Sequence, residues 1–309
     1  HVLNRIGTWV LGIGIVLGFA YILTHVQTDD FLTRGSFNIS GWLATVSLAA
    51  LWQIAFAPYV SDYSRYLPAD VPVASTFWTT YLGTVLGSSL SFVFGAVAVL
   101  ATPVGMDTMD AVKLATGSIG PLMLVLFLLS VISHNALNLY GAVLSLITLV
   151  QTFAYRWIPT AKSRAVLSVI VLGACCFAAV GASADFIGHF VDMVLVLLVV
   201  LVPWTAINLI DFYAIHKGKY DIDSIFHVDG GIYGRYNPQA LLAYAIGILV
   251  QIPFMNTPLY VGPISEHING ADLSWLVGLV ITSPLYWWLA NRDSAYKRRL
   301  SSGKLATSL

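Results

Sequence analysis

Residues 6–26, 41–60, 76–102, 118–152, 164–183, 187–213, 240–255 and 273–290 form eight largely apolar runs joined by short polar stretches. A helix needs about 20 such residues to cross the hydrocarbon layer, and a backbone within lipid must satisfy its own hydrogen bonds. The pattern therefore predicts an all-α integral membrane protein with about eight transmembrane helices. The fourth run is too long for one straight crossing, so it either tilts or runs on into a short extra helix. Composition agrees: 58% of the 309 residues are hydrophobic and 10% charged, against roughly 45–50% and about 25% in soluble domains.

Loops on the cytoplasmic side of a membrane collect Lys and Arg. If residue 1 is cytoplasmic and the runs alternate in direction, only Arg34 and Lys113 of the 15 basic residues fall on the opposite side. Both ends of the chain are therefore expected in the cytoplasm, with the membrane a plasma or bacterial inner membrane and its lipid the immediate surroundings. A net charge of zero gives no reason to expect a nucleic-acid partner. Cys175 and Cys176 are adjacent within an apolar run and read as small helix-packing residues. The chain starts at His1 without a signal peptide, which points to a fragment.

Polar residues inside apolar runs are the informative ones, because each must meet a protein partner or line a wet cavity. Two stretches concentrate them. LWQIAFAPYVSDYSRYLP, residues 51–68, places Trp52, Gln53 and Pro58 in the second run. Pro58 lacks a backbone donor, so it frees carbonyls near Ile54 and Ala55 and predicts a break in the helix. Trp52 supplies a flat stacking surface and Gln53 one acceptor and two donors, which suits the edge of a heterocycle. The alternative is a proline-kinked packing helix. Asp62 and Arg65 sit beyond the run and read as a solvated ion pair.

The second stretch is SVISHNALNLYG, residues 130–141, in the middle of the fourth run. Ser130, His134 and Asn138 are four apart and Asn135 and Asn138 three apart, so they make one polar strip at mid-membrane depth. Either the strip hydrogen-bonds neighbouring helices and nothing more, or it lines a binding site. Elsewhere, Gly83, Gly87, Ser91 and Gly95 recur every four residues and predict a small-residue stripe for close helix packing. In the loop 217–238, Asp221, Asp223, His227 and Asp229 lack the regular spacing of a calcium or zinc site, so no metal is expected. Its Gly230–Gly231 turn predicts a short ordered excursion. The sequence has no phosphate-cradling glycine loop, nucleophile elbow or paired intramembrane acids, so an enzyme or ATP-driven pump is disfavoured.

Three ordered stretches carry a resemblance. APYVSDYSRYLP resembles the signature that follows the sixth helix in the purine-cytosine permease branch of the nucleobase-cation symporters, family one. SHNALNLYG is similar to that branch's eighth helix, and PWTAINLIDFYAIHKGKYD, residues 203–221, to its tenth helix and following loop. The resemblance implies a leucine-transporter-like inverted-repeat fold. Residues 1–309 would form one transmembrane transporter domain holding helices five to twelve: a complete second repeat over about 40–216, two further helices over about 240–290, and a cytoplasmic tail at 291–309. It implies import of a nucleobase such as cytosine or a purine by cation symport through alternating access, with no cofactor and no obligate protein partner.

On this reading Trp52, Gln53, Asn135 and Asn138 contact the base, with Asn138 matching the eighth-helix Asn. Gln53 departs from the pattern, since relatives place a stacking aromatic there. Ser130, Ser133 and His134 are the cation-coupling candidates. Sodium-driven relatives use two neighbouring hydroxyls, but Ile132 occupies one of those positions here. A proton, with His134 as the titrating group, is therefore preferred over sodium, while a purely packing histidine stays open. Two other readings remain: a same-fold carrier of another heterocycle, a vitamin or an amino acid, and a membrane fragment that transports nothing.

Overall fold

The computed structural model describes residues 2–26, 37–64, 67–68, 70–154, 156–181, 186–227, 229–257, 259–268 and 270–293. The long helices are α1 (Val2–His25), α2 (Ile39–Ser64), α3 (Val73–Leu100), α5 (Gly120–Phe153), α6 (Ala161–Gly181), α7 (Phe186–Leu209) and α11 (Ser274–Arg292). Shorter ones are α4 (Thr108–Ala115), α8 (Ile222–Ile225), α9 (Pro238–Leu249) and α10 (Pro263–His267). Two two-residue strands, β1 (Asn256–Thr257) and β2 (Tyr260–Val261), pair antiparallel. Among the described residues, six helices are long and apolar enough to cross a membrane, and the chain is an all-helical multi-pass membrane protein.

Six of the eight expected runs thus appear as spanning helices. The other two differ. With 12 residues, α9 covers only about 18 Å at 1.5 Å per residue, and about 30 Å is needed. With 19 residues, α11 is long enough, but Thr282, Ser283, Pro284 and Asn291 dilute its apolar character. The fourth run is a single unbroken helix of 34 residues, preceded by α4 and a 3-10 turn at Gly117–Ile119.

The expected break in α2 is absent, for the helix runs straight through Pro58. A proline removes one N–H and strands one carbonyl, and the remaining rungs of the ladder suffice to carry the helix onward. Pro58 nevertheless coincides with a boundary. The chain divides into two compact units, one of His1–Ser36 with Tyr59–Ala184, the other of Phe37–Pro58 with Asp185–Leu309.

In the first unit, α1 packs on α3 and α5, and α4 fills in beside them. Ile15, Ile22, Phe94, Ala98, Val112, Ala115 and Met123 form its core. Gly14 and Gly18 make the close approach possible: a Cβ on Gly18 would lie 2.7 Å from the Phe94 ring, and one on Gly14 2.8 Å from Leu126. The stripe expected to do this job, Gly83, Gly87 and Gly95, meets nothing within 4 Å. Cys175 and Cys176 are likewise exposed on α6 rather than packed.

In the second unit, α7, α9 and α11 meet along one line of small residues. A Cβ on Gly247 would collide with the Thr282 hydroxyl and the Pro203 ring, and one on Gly278 with the Gln251 amide. Pro203 lies inside α7 and cannot donate to the carbonyl four residues back, that of Val199. Gln251 replaces the missing donor: its Nε2 donates to the Val199 oxygen at 2.9 Å and to the Gly247 oxygen at 2.8 Å. Leu51, Leu198 and Val202 pack the apolar core beside it. Asp272 ties the other end of the unit together. It accepts from the Asn256 and Ser274 backbone N–H groups, and its carbonyl accepts from the Ser47 hydroxyl at 2.9 Å.

Candidate functional site

The polar strip of α5 folds as the spacing predicts, on one continuous helix. Ser133 and His134 turn their polar atoms back onto that helix. The Ser133 hydroxyl donates to the Leu129 oxygen at 3.0 Å, and His134 Nδ1 donates to the Ser130 oxygen at 3.2 Å. Asn135 and Asn138 do neither. Both are exposed on the surface of their unit, and among the described residues neither amide has a hydrogen-bond partner. The half-buried Ser130 hydroxyl is also unpartnered there. Among the described residues, then, the strip makes no side-chain hydrogen bond to another helix of its unit.

Trp52 and Gln53 lie in the second unit, Trp52 half exposed and Gln53 half-buried. Leu51 and Ile54 on either side of them face the apolar core with Leu198 and Val202, which fixes the rotation of α2 and turns Trp52 outward. The Gln53 amide has no partner among the described residues. The structure thus groups the α5 residues in one unit and the α2 residues in the other. The Asp62 side chain and Arg65 lie outside the described residues.

A further cluster, not singled out from the sequence, closes α7. The helix ends in a π-helical turn, Ile210–Ile215, whose wider step brings Asp211 and His216 together. His216 Nδ1 lies 3.1 Å from Asp211 Oδ2, with their side chains 4% and 22% exposed. Tyr220 donates to the same oxygen at 2.7 Å, and Tyr286 of α11 donates to Oδ1 at 2.5 Å. Three donors on one carboxylate fasten the loop after α7 to α11. The His216 ring stacks on Tyr220 with centroids 4.5 Å apart.

Beyond it, Asp221 caps α8, accepting from the Ser224 hydroxyl at 2.8 Å. That hydroxyl, then the Ser224 backbone N–H, holds the Asp221 carboxyl below the usual carboxylate range. Gly230 and Gly231 both adopt positive φ. A Cβ on Gly231 would strike Ser224 at 2.7 Å, so this turn needs glycine and makes the expected ordered excursion. Together these segments line an open cavity of about 480 Å³ whose walls include Asn208, Asp211, His216, Arg235, Tyr236 and Tyr286.

A family model described as permease for cytosine/purines, uracil, thiamine, allantoin matches residues 2–278. The chain belongs to that family. A Bacillus subtilis (strain 168) protein, named as the purine-cytosine permease YxlA, is 35% identical over 276 residues, which cover 87% of this chain and 59% of the relative. The purine-cytosine permease fcyB of Emericella nidulans is 23% identical over 297 residues, covering 88% of this chain and 54% of its own length. This permease-family chain therefore spans little more than half the length of these relatives. No solved structure matches it.

Membership confirms the resemblance carried by the stretches in α2, α5 and α7. One of them, PWTAINLIDFYAIHKGKYD, holds Asp211, His216 and Tyr220. An acid at the end of an apolar run is a signal for a buried network. Its Tyr286 partner lies 75 residues away, at a distance no local pattern reveals.

Proposed function

We propose that the chain carries helices five to twelve of a leucine-transporter-like permease that imports a nucleobase, such as cytosine or a purine, by cation symport. The second inverted repeat then runs over about residues 40–216, and the tail at 291–309 lies in the cytoplasm, as the bias of basic residues supports. The observation that carries the reading is the pair of amides on Asn135 and Asn138, which lie within an apolar span and have no hydrogen-bond partner among the described residues. An amide with no partner is costly in lipid, and these two offer the mixed donors and acceptors that the edge of a base requires. In the second unit, Gln53 and the half-exposed Trp52 are candidate base contacts in their own right.

A base bound from outside is held at its edge by Asn138 and Asn135 and released inward as the helices rearrange. The coupling ion is a proton in preference to sodium. Ile132 supplies no oxygen beside Ser133, and His134 is the candidate proton carrier on this strip. The plasma or bacterial inner membrane is the expected location.

Uptake in cells carrying the full-length protein tests this directly. Labelled cytosine is offered against an excess of adenine, hypoxanthine, uracil, thiamine or allantoin, with and without a sodium gradient and a proton uncoupler. Competition by nucleobases and collapse with the uncoupler are expected. Uptake that follows sodium alone overturns the proton assignment, and uptake blocked only by thiamine or allantoin replaces the cargo.

A further inference from the structure

The cavity at the end of α7 has the chemistry of a binding site in its own right. Its volume of about 480 Å³ falls in the range of small-molecule pockets, about 300–1,000 Å³. Its carboxylate oxygens already accept from Tyr286 and Tyr220 and lie against His216. A ligand that bonded Asp211 directly would have to compete with these contacts.

The wall instead offers aromatic surface and a mixed polar edge. The Asn208 amide nitrogen donates to the Trp204 oxygen at 2.7 Å, which leaves its carbonyl oxygen as an acceptor. Arg235 pairs with no acid among the described residues and sits 5.6 Å from the exposed Tyr236 ring. One acceptor, a guanidinium fork and a tyrosine face are the elements that recognise a purine or pyrimidine ring, by edge hydrogen bonds and by stacking. The unpaired guanidinium also suits a phosphate.

We propose that this cavity binds a purine or pyrimidine ring, as free base, nucleoside or nucleoside monophosphate, at residues other than those assigned to transport on α2 and α5. The inference rests on the nucleobase reading only for its choice of probes.

Calorimetric titration of the purified full-length protein with cytosine, adenine, adenosine and adenosine 5′-monophosphate tests it. The Asn138→Ala variant isolates this cavity from the transport residues, and the probe that binds it identifies the source of the ring. Adding Asn208→Leu or Tyr236→Ala should weaken that binding tenfold or more. Arg235→Ala should weaken the monophosphate tenfold more than it weakens adenosine if the phosphate is read. These side chains lie outside the Asp211 network, and unchanged elution and helical circular dichroism check that each variant folds. If Asn208→Leu fails that check, Tyr236→Ala decides.

The proposal is overturned if no probe binds Asn138→Ala, or if both cavity variants bind as tightly as Asn138→Ala alone. Failure of the transport reading has a separate signature, unchanged base uptake by Asn138→Ala.

Discussion

The junction of α7, α9 and α11 and the middle of α5 are both rich in polar groups within apolar helices, yet they use them in opposite ways. At the junction, side chains work for the fold. Gln251 takes over the hydrogen bond that Pro203 cannot make, and Asp211 gathers three donors from two segments. Some oxygens there stay unpartnered among the described residues, namely those of Thr205, Thr282 and the Gln251 carbonyl, but they are sealed in packing. On α5, Asn135 and Asn138 are open and bond nothing described. A polar group in a membrane helix is thus structural when its partner lies within its own unit, and a candidate for ligand when it does not.

The largest expected effect on stability is at Asp211. Removing the carboxylate with Asp211→Ala takes away the acceptor shared by His216, Tyr220 and Tyr286, and breaking a buried pair of this kind costs about 3–5 kcal/mol. A sharply lower thermal midpoint, or loss of monodisperse protein in detergent, checks it. A wild-type midpoint would remove Asp211 from the scaffold.

Gln251→Leu comes next. It keeps the volume but leaves the Val199 carbonyl with no donor in place of Pro203, at about 1–3 kcal/mol. The same thermal measurement applies, and α7 should lose amide protection around residue 203. Gly18→Leu should cost about 1–3 kcal/mol by overpacking against Phe94, while Gly83→Leu should stay within about 0.5 kcal/mol. Equal midpoints for the two glycine variants would dissolve the distinction between a packed and an open stripe.

Much of this was legible in the sequence, because the hydrocarbon layer sets a length that apolar runs must meet. Runs expected at 6–26, 76–102 and 118–152 fold at Ile6–His25, Val73–Leu100 and Gly117–Phe153. Two readings failed for a shared reason: local pattern does not say what lies opposite. Gly83, Gly87 and Gly95 have the right spacing but no neighbour, whereas Gly14 and Gly18 have Leu126 and Phe94. Pro58 has the chemistry of a helix break, but α2 continues through it. The polar strip on α5 was visible because its members are three and four residues apart. The Asp211 network was not, because it joins residues from 211 to 286.

Asn138 tests the central claim most directly. Uptake of labelled cytosine and adenine should be compared between wild type and Asn138→Ala in the full-length protein, normalised to protein in the membrane and with the thermal midpoint measured alongside. Uptake should be abolished or greatly weakened, while insertion and midpoint stay at wild-type values because Asn138 bonds nothing among the described residues. Wild-type uptake would contradict the assignment of Asn138 to the base, and a lower midpoint would show that its amide serves the fold after all.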